Sequence, residues 1–212
     1  MKTNQDYKNA ALLALKGNWT QGVLAALVVM AIGMLPSIMT VVAPESIVVS
    51  LLTSVISICV TMPLSVGLYA GFRDLYCGTN LNVTKTAFRT GFGKWGHNVG
   101  GMLLMGIYIY AWTLLLIIPG LIKSFSYALT PFILTDKPEL SANEAIELSM
   151  KMMDGHKLDL FMLYLSFIGW FFLCIFTLGL GYLWLAPYVQ TSMAAFYQDV
   201  KNEYLSTKNT II

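Results

Sequence analysis

Few residues in this sequence have side chains that could do chemistry. His97 and His156 both fall where a helix is expected to begin, and neither has a second metal ligand at usable spacing. His156 has Asp154 and Asp159 close by, the single arrangement suited to proton transfer between an imidazole and a carboxylate. No G-x-S-x-G, H-E-x-x-H or phosphate-loop pattern occurs. The cysteines, Cys59, Cys77 and Cys174, are odd in number and form no C-x-x-C. They therefore read as small apolar residues rather than as a disulfide framework or a zinc site. Two further polar groups interrupt apolar stretches. Lys123 can reach an interface through its long stem, or it needs a buried partner. Gln190, beside Thr191 and Ser192, can bond another helix or line a polar cavity. On this inventory no catalytic, cofactor-binding or metal-ligating set is expected, and the chain is not expected to be an enzyme.

The elements that must hold these groups follow from composition. Of 212 residues, 57% are hydrophobic and only 11% charged, and the mean hydropathy is +0.67. A soluble domain carries about 25% charged residues. A chain of this length cannot bury so much apolar surface and keep a wettable exterior. The net charge of +2 is too small to indicate a nucleic-acid partner. The composition points to a polytopic integral membrane protein.

The charges are absent from residues 17–44, 46–72, 95–122 and 160–198. A membrane-crossing helix needs about 20 mostly apolar residues for a hydrocarbon core about 30 Å thick. The first two runs hold one helix each and meet at a short turn, Ala43, Pro44 and Glu45. The last run breaks near Thr177-Leu178-Gly179-Leu180-Gly181, giving helices near 159–177 and 182–198. The middle run is interrupted by Pro119 and Gly120. It divides into a helix over 98–118 and a shorter element over 121–135, which crosses with a tilt or is re-entrant. The alternative is one kinked helix over 98–135 and five crossings in all.

Basic residues gather in the cytoplasmic short loops of membrane proteins. With six crossings, every Lys and Arg except Lys123 falls on one side: three before Trp19, four in 73–94, three in 136–159, then Lys201 and Lys208. With five, the asymmetry collapses. The expected fold is therefore an all-α bundle of six transmembrane segments arranged as three hairpins, with both termini cytoplasmic and the first helix uncleaved.

Surface helices precede the hairpins. Residues 4–16 form one, ended by Gly17 and Asn18. A second runs near 83–95, with Phe88 and Phe92 four apart. In 136–159, Ser141 and Glu144 make a capping box, and Ile146, Met150 and Met153 recur at helical spacing. Asp154 and Gly155 end that helix. It serves as a connecting helix or as a docking face for a partner. The junctions Lys16-Gly17-Asn18-Trp19, Trp95-Gly96-His97-Asn98 and Asp154-Gly155-His156-Lys157 suggest three repeats. So do Pro63 and Pro187, each followed nine residues later by a phenylalanine, Phe72 and Phe196. The layout divides into 1–75, 76–135 and 136–199, one hairpin each, and a polar tail over 200–212.

A resemblance rests on Met153-Asp154-Gly155-His156-Lys157, Leu165-Ser166-Phe167-Ile168-Gly169-Trp170, the Thr177 to Gly181 turn, Pro187-Tyr188, Ala195-Phe196-Tyr197, and upstream Tyr127 and Pro131-Phe132-Ile133-Leu134. In these the chain resembles a family of bacterial polytopic membrane proteins known as a domain of unknown function. More distantly it is similar to the membrane domain of some glycerophosphodiester phosphodiesterases, whose catalytic domain has no counterpart here. The resemblance implies a bacterial cell membrane and recurring Gly155, His156, Lys157, Gly169 and Trp170. Those residues would act as a helix stop, an interfacial anchor and a close-packed glycine. The expected role is a non-enzymatic membrane scaffold that binds lipids, another membrane protein or a second copy of itself. The alternative is a small permease or lipid-translocating protein.

Overall fold

A computed structural model describes residues 2–42 and 46–210. The turn expected at Ala43, Pro44 and Glu45 lies outside them. The described residues form twelve α-helices and one π-helical turn, with no strand among them. Helix is what a charge-poor, apolar chain adopts when each backbone donor must find an acceptor in its own segment.

The first helix, α1 (Asn4–Leu15), starts with a capping box in which Thr3 and Asp6 bond reciprocally, and ends before Gly17, at φ 82°. It is not a surface helix on all sides. Tyr7, Ala11 and Leu15, four apart, are buried against the last helix. α2 (Trp19–Val42) follows. Then α3 (Ile47–Ile56), a π turn over Ser57–Thr61 and α4 (Met62–Cys77) make one apolar run of 31 residues, closed by Gly78 at φ 70°.

α5 (Val83–Gly93) folds back along α4, antiparallel and very close. A Cβ at Gly71 would meet the Val83 carbonyl, one at Gly67 the Ala87 carbonyl at 1.9 Å, and one at Gly91 the Pro63 carbonyl at 2.3 Å. Glycine on both helices allows this backbone-to-backbone approach.

α6 (Trp95–Leu115) ends at Leu116, whose extended backbone (φ −159°, ψ 138°) reverses the chain into α7 (Ile117–Tyr127). The break thus falls three residues before the expected Pro119. Proline fits the first turn of α7, where its missing N–H would have had no partner. Gly120 lets α7 touch α6 at Thr113, and Gly101 further down α6 receives Leu134. The element expected as one helix over 121–135 is two, α7 and α8 (Thr130–Asp136). Pro131 sits in the first turn of α8, and Ser149 bridges the joint. Its Oγ donates to the Ser126 carbonyl at 2.8 Å and accepts from the Leu129 N–H at 3.3 Å.

Ser149 belongs to α9 (Ala142–Met152), which has the expected Ser141 and Glu144 capping box. Its apolar face is turned inward: Ile146 and Met153 are 1% and 0% exposed. The residues expected to offer a docking face thus serve the chain's own core. Gly155 at φ 82° ends the segment. α10 (Lys157–Leu165) and α11 (Ile168–Phe176) are separated by a break at Ser166 and Phe167. Lys8 of α1 donates to the Ser166 carbonyl at 3.1 Å and lies over the Phe167 ring. The turn after α11 uses left-handed Leu178 and Gly179.

α12 (Tyr182–Thr210) is the central helix and continues as helix through most of the stretch expected as a polar tail. Phe132 of α8 stacks on Tyr197 at 4.8 Å, and Tyr7 of α1 meets Phe196 edge-on at 5.5 Å. Five helical stretches are long and apolar enough to cross a membrane: Trp19–Pro36, Ile47–Cys77, Trp95–Leu115, Ile117–Asp136 and Lys157–Phe176. Four of these keep most of their apolar surface turned outward, as a helix in contact with lipid does.

Candidate functional site

The polar groups meet at a few places. At the start of α10, His156 Nδ1 lies 3.5 Å from Asp159 and Nε2 lies 3.5 Å from Glu203 of α12. The imidazole therefore ties the junction between α9 and α10 to the central helix. Glu203 was not visible as its partner in the sequence, because 47 residues separate them. Lys157 opens α10 and has no ion pair among the described residues. No cluster able to hold a metal ion occurs among the described residues.

A second cluster escaped sequence reasoning altogether. The Asp136 carboxylate, at the end of α8, accepts from Arg73 Nη1 of α4 at 3.2 Å. It also accepts from Tyr197 Oη at 2.7 Å and from Lys201 Nζ of α12 at 2.5 Å. Arg73 further holds Asp74 at 3.0 Å and Thr135 at 3.3 Å. Nearby, the Asp199 carboxylate accepts from Tyr7 Oη at 2.7 Å and from the Lys2 backbone N–H. The only signal available was that Arg73, Asp136 and Asp199 each stand at the edge of an apolar run. These contacts bring the polar ends of α1, α4, α8, α10 and α12 to one end of the bundle.

Lys123 neither projects away from the protein nor finds a carboxylate. Its ammonium lies 4.9 Å from the Trp112 ring centre and 6.0 Å from that of Tyr127, with Met150 Sδ at 3.8 Å. Aromatic faces provide the negative potential that a counter-ion would otherwise supply. The Gln190 side chain lies beside the Tyr69 hydroxyl of α4, and its Oε1 is buried without a partner. Thr191 and Ser192 return their hydroxyls to the Pro187 and Tyr188 carbonyls of their own helix.

An almost wholly apolar cavity of about 440 Å³ lies where α1, α2, α11 and α12 converge. Trp19, Trp170, Trp184 and Tyr188 line it, with Leu173 and Cys174. Trp170 and Trp184 are each about half exposed, so the cavity opens sideways between aromatic rings. Trp170 therefore lines the cavity mouth. Gly169 does not have its expected role: a Cβ there would meet nothing within 4 Å, because that side of α11 is open. The close-packed glycines are elsewhere, at positions 22, 67, 71, 91, 101, 120 and 181.

A family described as "Protein of unknown function (DUF975)" has a model that matches residues 94–204, a little over half of the chain. The chain belongs to this family. The DUF975 match runs from the start of α6 to Tyr204. It therefore contains His156 with Glu203, Asp136 with Lys201, and the α11 and α12 walls of the cavity. It excludes α1 to α5, and with them Trp19 and Arg73. No curated protein and no solved structure matches the chain.

Proposed function

We propose that this DUF975 protein is a non-enzymatic, multi-pass membrane protein that binds a lipid acyl chain in the aromatic-lined cavity. The observation that carries this reading is the cavity itself. It is large enough for part of an alkyl chain, is almost wholly apolar, and opens sideways towards the apolar exterior, where lipid would lie. The proposed topology has six crossings, with α12 as the sixth and both termini in the cytoplasm. The antiparallel pairing of α6 with α7 and α8 supports the middle hairpin. The basic residues gathered at one end support the orientation.

The test is native mass spectrometry of the chain extracted in mild detergent. Co-purified lipid should be retained by the wild-type chain. It should be mostly lost from a Trp170→Ala, Trp184→Ala double variant that still elutes as a single species. Equal retention by both would remove the cavity from the account. A second reading, a small permease, rests on the unpartnered Gln190 Oε1 beside Tyr69. It requires solute or lipid flux in proteoliposomes that Gln190→Leu alters, and flux no higher than in empty vesicles would exclude it.

A further inference from the structure

A crevice of about 210 Å³ lies between α5, the start of α6 and the link from α8 to α9. Arg89, Thr90, Lys94, Asn98, Thr135 and Pro138 line it. Its charge is one-sided. Asp and Glu are absent from residues 75–135. The acids that bound that stretch, Asp74 and Asp136, are already engaged by Arg73 and Lys201. Arg89 is exposed, and its five N–H donors have no acceptor among the described residues. Lys94 gives one N–H to the Pro138 carbonyl at 3.0 Å and keeps two. Glu139, the next acid along the chain, forms no ion pair with either cation. Asn98 is held away from any ligand, because its amide donates to the Thr90 and Gly91 carbonyls.

The faces beside the crevice are apolar. Phe88 and Phe92 of α5 are exposed, with their rings stacked at 6.1 Å. Trp95 is 43% exposed, and its indole N–H is fixed to the Cys59 carbonyl at 2.8 Å. Two uncompensated cations flanked by exposed aromatic rings suit a molecule with an anionic head and a hydrocarbon body. A planar guanidinium takes two phosphate oxygens at once, and an ammonium adds a point charge.

We propose that this crevice binds the phosphate of an anionic phospholipid. Arg89 forks onto the phosphate oxygens, Lys94 closes the other side, and Phe88 and Phe92 lie along the acyl chains. The proposal rests on the membrane reading above, but not on the aromatic cavity.

The experiment uses the full chain in detergent and measures the ratio of bound phosphatidylglycerol to phosphatidylcholine by native mass spectrometry. Two cations near a lipid surface should give a preference of roughly thirtyfold for the anionic lipid. Arg89→Gln with Lys94→Gln should abolish that preference while leaving total lipid retention in place. Arg89→Lys should keep part of it. Equal binding of the two lipids by the wild-type chain would overturn the proposal, as would an unchanged ratio in the double variant. Inorganic phosphate displacing phosphatidylglycerol at equal concentration would also overturn it, by showing a site for free phosphate. A Trp170 and Trp184 variant that loses much of its lipid but keeps the anionic preference in what remains bears on the cavity alone, whereas loss of all lipid from that variant would overturn this proposal as well.

Discussion

Asp136 accepts from three donors contributed by two other helices, so removing its carboxylate leaves the largely buried Lys201 without a counter-charge and Arg73 with Asp74 alone. Breaking such a set from one side costs about 3–5 kcal/mol. Deleting one neutral partner costs about 1 kcal/mol. Asp136→Ala should therefore lower the thermal midpoint in detergent far more than Tyr197→Phe, as followed by size-exclusion chromatography after heating. Asp199 carries a pH dependence. Burial pushes its carboxyl up, but the Tyr7 hydroxyl, the Lys2 backbone N–H and the Lys2 charge outweigh that and hold it below the ordinary range. A carboxyl with a depressed folded pKa stabilises above its unfolded value, near 3.9, and loses that contribution as the pH falls through the folded value. Asp199→Asn should therefore be less stable than the wild-type chain at pH 7, and the gap should narrow as the medium is acidified below about pH 4. At this scale the sequence exposed His156, Lys123, Gln190 and Trp170 as individuals worth noting, but not their partners. Local spacing does not encode a contact between Asp136 and Lys201, which are 65 residues apart.

At the level of elements, local chemistry was largely legible. The Ser141 and Glu144 capping box, the glycine stops at Gly17 and Gly155, and the turn near Gly179 lie where residue types demanded them, while the Thr3 and Asp6 box that opens α1 was found only in the structure. The breaks that depend on neighbours were not. Proline at 119 marks the start of α7 rather than the end of α6, and Ser149 supports the joint at Leu129 from another helix. The inward turn of α9 was hidden for a similar reason, because an amphipathic pattern shows that a face is apolar but not what covers it. The tightest interface depends on Gly67. A methyl there would sit 1.9 Å from the Ala87 carbonyl, and backbone cannot move aside as a flexible side chain can. Gly67→Ala should cost at least about 1–3 kcal/mol. Gly33→Ala, with nothing within 4 Å, should leave the thermal midpoint unchanged or slightly raised.

The whole molecule turns on α12. Length and composition pick out five candidate spans and omit this helix, although it is the longest and the most central. The omission has a physical cause. Lipid-facing helices must be apolar all round, whereas a helix enclosed by protein can carry Gln190, Thr191 and Ser192 provided neighbours or its own backbone accept them. Thr191, Ser192 and Phe196 are all 0% exposed, so α12 meets protein where the other spans would meet lipid. On the six-crossing topology proposed above, hydropathy alone undercounts the crossings because the bundle's centre is buried, and the charge asymmetry in the loops is the guide to the sixth. The two counts place residues on opposite or equal sides, and this can be read directly. In a chain with its three native cysteines replaced by alanine, Leu178→Cys lies at the fully exposed turn before α12. Asn202→Cys lies on the exposed polar end of the same helix. With six crossings, a membrane-impermeant maleimide should label Leu178→Cys only from outside intact cells and Asn202→Cys only in inverted vesicles. Labelling of both from the same side would mean that α12 does not cross. Asp199, Lys201 and Glu203 would then lie across the membrane from Lys2, Asp136 and His156, which the bonds joining those pairs oppose.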